Sequence, residues 1–179
     1  MIARVLRLSV VAALAGTAWS AMAFPVTAQS AVQARPILAG ENFVRAALSS
    51  SVLQAQAAEL AASRETRPEV RAYAREMATF RRDHAPRIER AARDNGVAHA
   101  SEMQFEHKVQ MENLAPLDFL ALSRRYAELQ VEALEQEVQL YAEAANSPDE
   151  WVKAFTAEIR PKLGKLLDGA REMRTAVGP

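Results

Sequence analysis

Cysteine is absent from this 179-residue chain. That removes disulfides, thiolate metal sites, a cysteine nucleophile and a lipid-modified cysteine from consideration. Histidine is nearly as scarce. The three are His84, His99 and His107, so nothing beyond His107 supplies an imidazole. The six glycines form neither a phosphate-cradling loop nor a dinucleotide fingerprint. No serine–histidine–acid spacing is present. Net charge is zero, which argues against a nucleic-acid partner, since such a partner needs a basic face. Strand-like alternation is missing throughout, so the expected class is all-α.

What is present begins with a leader. Arg4 and Arg7 precede an apolar run from Leu8 to about Leu14, and two small-residue cleavage sites follow. Cleavage is expected after Ala28, downstream of the helix-breaking Pro25, with Ala23 as the alternative. The expected organisation is a signal peptide over 1–28, a flexible lead-in over 29–40 and a helical domain over 41–175. Export to the periplasm or the outer membrane follows. Losing Arg4 and Arg7 leaves the mature chain slightly acidic. About 150 residues can bury roughly 70% of their unfolded surface, enough for a core without disulfides.

Four long helices are expected. The first runs from Glu41 or Asn42 to Ser63, with Phe43, Val44, Ala47, Val52, Ala55, Ala58 and Ala62 inward. The second spans Thr66 to Asn95. Thr66 and Glu69 read as a capping box, and Val70, Tyr73, Met77, Phe80, His84, Ile88 and Ala91 as its apolar stripe. Pro86 removes one helical hydrogen bond there, at a cost of about 3 kcal/mol unless the helix kinks, so a kink is expected around Arg82 to Pro86. A short helix is expected within Ser101–Leu114. The third long helix runs to Ala145. The fourth opens at Ser147-Pro148-Asp149-Glu150, read as a second capping box, and buries Val152, Phe155, Ile159, Leu163, Leu166, Ala170 and Met173. The second and fourth helices echo each other. Val70/Val152, Arg71/Lys153, Ala72/Ala154, Tyr73/Phe155, Glu76/Glu158 and Met77/Ile159 keep a constant offset. A repeated helix suggests a repeated helix pair, hence a four-helix bundle.

Candidate chemistry centres on Asp83-His84. Neighbours on a helix point about 100° apart, so only His84 faces the core. A dimetal carboxylate site in such a bundle needs Glu-x-x-His on two helices, and none occurs here. Where His84 stands, the echo carries Leu166. Glu137 lies near the edge of the inward face of the third helix. His84, Asp83 and Glu137 are therefore the metal candidates, with iron, zinc or manganese as the alternative to the main expectation of no cofactor. Arg81, Arg82, Arg87 and Arg90 read as a basic outer face of the second helix that can meet anionic lipid. His99 and His107 read as solvated crossover residues.

Certain segments resemble a known family. These are Phe43-Val44-Arg45-Ala46-Ala47, the run Pro68–Met77 with Asp83-His84, Glu106-His107-Lys108, and Trp151-Val152-Lys153-Ala154-Phe155 ahead of Pro161. Together they resemble domain of unknown function family 4142, exported bacterial proteins often assigned to the outer membrane. The resemblance covers about Glu41 to Ala170. It implies a ferritin-like, antiparallel four-helix fold with a long crossover between the second and third helices. Members commonly carry further histidines on the last two helices and a glutamate on the first, where Leu134, Leu166 and Gln54 stand here. The expected role is thus an envelope binding or structural module without catalysis, its partner an envelope protein or small ligand and its oligomeric state open. A degenerate metal-binding protein using His84 with carboxylates is the alternative.

Overall fold

The structure is a computed structural model that describes residues 38–64 and 66–178. It contains five helices and, among the described residues, no strand. These are α1 Gly40–Ser63, α2 Pro68–Asp94, α3 Phe105–Leu114, α4 Phe119–Ala144 and α5 Glu150–Val177. The expected all-α class is what is observed. The leader and most of the lead-in lie outside the described residues. No described helix is long and apolar enough to cross a membrane.

Each long helix buries one stripe because its apolar residues recur every three or four positions. α2 buries Val70, Tyr73, Met77, His84 and Ile88; α5 buries Val152, Ile159, Leu163, Leu166 and Ala170. α1 packs along α2 and α4, and α5 along α4 and α2. Cross-helix bonds set the directions. The start of α1 meets the start of α5 through Gly40 and Asp149, while Arg64, just past its end, meets Asp118 before α4. Arg67 at the start of α2 donates its N–H to Ser123 near the start of α4. Tyr73, early in α2, donates to the carbonyl of Leu166, late in α5. Hence α1 and α4 run in opposite directions, α2 and α4 run together, and α5 runs against α2. The 95–118 connection, with α3 inside it, returns the chain along the molecule.

The helix starts differ from expectation. Neither capping box forms. Thr66 lies before the N-cap residue Arg67, and its hydroxyl donates to the Ala61 carbonyl in the last turn of α1. That carbonyl is one of the acceptors a helix end leaves unpaired. Ser147 donates to the Leu38 carbonyl and accepts the Asp149 N–H. Asp149 is the N-cap residue of α5, yet its carboxylate accepts the Gly40 N–H of α1 at 2.7 Å. One acid thus caps a helix 109 residues away. Gly40 is needed there, since a Cβ would lie 2.7 Å from the Trp151 ring. α2 continues unbroken through Pro86.

On α1 the buried stripe includes Leu48, Leu53, Gln54, Ala57 and Ala61, whereas Val52, Ala55 and Ala62 are only half-buried. The inward face is rotated toward the polar residues, and Ser49, Ser50 and Ser51 are all buried.

Candidate functional site

At the centre of the fold α2 contributes Arg81, α4 Glu137 and α1 Gln54. All three are buried, and both charged side chains are fully enclosed. Arg81 belongs to the inward stripe because it sits between Met77 and His84 at helical spacing. This corrects its placement on the outer basic face. The guanidinium forks onto the carboxylate, with Nη1 donating to Oε1 at 2.8 Å and Nη2 to Oε2 at 2.5 Å. Nη2 also donates to Gln54 Oε1 at 2.7 Å. Gln54 Nε2 then donates to Glu137 Oε2 at 3.0 Å and to Ser50 Oγ at 2.9 Å. Burial alone would raise the Glu137 carboxyl, but the Arg81 charge and the hydrogen bonds from Arg81 and Gln54 hold it below the ordinary value. Glu137 is therefore an anion whose two oxygens are both engaged.

His84 is inward, as its spacing predicts, and 2% exposed. Its ring lies between Phe80 and Phe155, centroids 5.0 and 5.9 Å away and nearly parallel. Nε2 shares a 2.8 Å hydrogen bond with the Tyr141 hydroxyl, and Nδ1 has no partner. Burial pushes the imidazole down to about 4, against the pull of the Glu137 charge. Its hydrogen-bond partner is thus a tyrosine, neither a carboxylate nor a carbonyl freed by Pro86. Asp83 is exposed on the other side of the helix, so it does not join His84.

The three metal candidates do not converge. No group of three or more His, Asp or Glu side chains placed to hold a metal occurs among the described residues. The donor set fits a cation poorly for a positive reason: the protein's own guanidinium already occupies both Glu137 oxygens. A metal ion there would displace a bidentate pair or lie against a buried positive charge.

A second contact was not legible in the sequence. Ser49 Oγ accepts the Gln104 N–H at 2.7 Å and lies 2.6 Å from His107 Nδ1. This ties the start of α3 to the middle of α1. His107 is half-buried and its pKa is lowered by burial, so it is not the solvated crossover residue expected. Ser49 is completely buried and its oxygen already accepts a backbone N–H, an arrangement suited to fastening α3 and not to attacking a substrate. Beside it opens a cleft of about 230 Å³, lined by Ser50, Gln104, His107, Gln136 and Glu137 with Ala46 and Leu140. It joins the surface to the edge of the Arg81–Glu137 centre. No periodicity signals Ser49 and His107, because their 58-residue separation is closed only by the crossover.

Residues 24–173 match the family model of a domain of unknown function (DUF4142). The chain belongs to this family. No curated protein and no solved structure matches the chain. As a DUF4142 protein it carries Gln54, Leu134 and Leu166 where the resemblance places a glutamate and two histidines. Leu134 and Leu166 are buried core residues, and Gln54 serves the Arg81–Glu137 pair. The outer basic face is reduced to Arg82, Arg87 and Arg90, and Arg87 donates to Glu158 of α5 at 2.8 Å.

Proposed function

We propose that this protein is an exported, non-catalytic four-helix bundle of ferritin-like topology that acts as a binding or structural module of the cell envelope. The helix directions and the long connection between α2 and α4 support the topology. The leader pattern of residues 1–28 supports export. One observation carries the non-metal reading. The interior that would house metal-bound carboxylates holds an arginine forked onto its only buried carboxylate among the described residues. The cleft is lined by the polar side chains of Ser50, Gln104, His107 and Gln136, by the Arg81-paired Glu137 and by the apolar Ala46 and Leu140. That lining suits a small polar ligand or a polar side chain of an envelope partner.

The test is metal analysis of protein purified without chelator, with thermal shifts on adding iron, zinc or manganese. The reading expects no stoichiometric metal and no shift. Stoichiometric metal that disappears in His84→Ala would overturn it in favour of the degenerate metal site. Export is checked by fractionation and by the mass of the mature N-terminus. A cytoplasmic chain still beginning at Met1 would overturn that part.

A further inference from the structure

The inward stripe of α4 is Tyr126, Gln130, Leu134, Glu137 and Tyr141, and none is more than 1% exposed. Four of these five core positions are polar, which is rare for a buried helix face. One end of the stripe is satisfied: Glu137 by Arg81 and Gln54, and Tyr141 by His84. The other end is not. The Tyr126 hydroxyl and both amide atoms of Gln130 are buried without a protein partner. Buried polar groups in folded proteins are almost always paired, with protein or with ordered water.

We propose that Tyr126 and Gln130 frame an internal water site in the bundle core, separate from the Arg81–Glu137 centre and taking one or a few water molecules. The two side chains are one helical turn apart, about 5–6 Å between Cβ atoms. Together they present a hydroxyl that donates and accepts, an amide donor and an amide acceptor. A buried water typically makes about three hydrogen bonds, and this set supplies that number.

The charge balance excludes an ion. Burial pushes the Tyr126 phenol well above its ordinary value, so it stays protonated. Arg81, whose charge reaches Tyr126, is already neutralised by Glu137. An ion would have no counter-charge, and an apolar guest would leave the same atoms unpaired. The neighbouring helix faces this end of α4 with small side chains. α1 runs antiparallel to α4 with Gln54 level with Glu137, so Ala57, Ala58 and Ala61 lie level with Leu134 and Gln130.

The experiment uses full-length protein with Gln130→Leu, Tyr126→Phe and the pair combined, followed by thermal unfolding. A bridging water predicts that each single variant lowers Tm by about 3 °C or more. The double variant then falls by less than the sum, because both changes lose the same bridge. A dry site predicts the opposite: removing an unpaired polar atom raises Tm in both, and that outcome overturns the proposal. A second readout needs no variant. Water-to-protein NMR transfer at the Gln130 side-chain amide of the native protein detects a long-lived internal water. Lack of transfer at that amide overturns the proposal even if the variants fail to fold.

Discussion

α2 and α5 echo each other in sequence, and the difference between them lies in the core. Carried forward, the constant offset pairs Arg81 with Leu163 and His84 with Leu166. All four side chains are buried. At the aromatic position the two helices share, they also cross alike. Tyr73 of α2 reaches Leu166 of α5, and Phe155 of α5, the counterpart of Tyr73, stacks on His84 of α2, the counterpart of Leu166. The two contacts join equivalent positions with different chemistry. On one side a phenol bonds a carbonyl beside aliphatic core; on the other an imidazole lies between two rings and bonds Tyr141. The α2 copy holds a charge and an imidazole because α4 faces it with Glu137 and Tyr141.

Making α2 resemble α5 tests that dependence. The largest effect is expected from Arg81→Leu, which copies Leu163 into α2 and leaves Glu137 buried without its counter-charge. A loss of about 3–5 kcal/mol is expected in urea unfolding. Adding Glu137→Leu should restore most of it, since apolar replacements of a buried ion pair are often neutral or stabilising. If the double variant is as unstable as the single, the pair is not what organises this part of the core.

Next comes pH. The His84 pKa falls from 6.5 unfolded to about 4 in the fold. Between these values the unfolded chain binds more protons, so stability is fully present above about pH 6.5 and is lost as pH falls toward 4. The loss is on the order of 3 kcal/mol. His107, also lowered by burial, acts in the same direction. His84→Leu should flatten most of this slope, leaving the His107 part. An unchanged slope would show that His84 is not the residue buried neutral.

At pH 7, His84→Leu copies Leu166 and leaves the buried Tyr141 hydroxyl unpaired, at about 1–3 kcal/mol. His84→Leu with Tyr141→Phe should recover part of that. The smallest effect belongs to Tyr73→Phe, which copies Phe155. It removes one hydrogen bond to the Leu166 carbonyl, for about 0.5–1.5 kcal/mol in unfolding experiments.

Much of the architecture was readable in the chain because it rests on local period. The helix positions, the inward His84 and the α2–α5 echo all follow from spacing along one helix. Arg81 is the exception, although its spacing is inward. Met77, Arg81, His84 and Ile88 form one stripe, but an arginine is ordinarily solvated, so residue type and position point opposite ways. The spacing puts Glu137 near the edge of the inward face, yet nothing local says that a guanidinium holds both of its oxygens. The capping boxes failed for a related reason. Thr66 and Ser147 have suitable neighbours for local caps, but carbonyls of Ala61 and Leu38 compete for their hydroxyls.

By itself, the sequence determined the all-α class, the family and most of the apolar stripe that α2 and α5 bury, because hydrophobic burial depends on a period that each helix carries within itself. Tertiary structure decided which polar groups inside that core became partners. A buried charge or imidazole is tolerated only where another helix brings the matching group within about 3 Å. Arg81 with Glu137, His84 with Tyr141 and Ser49 with His107 are each more than fifty residues apart in the chain.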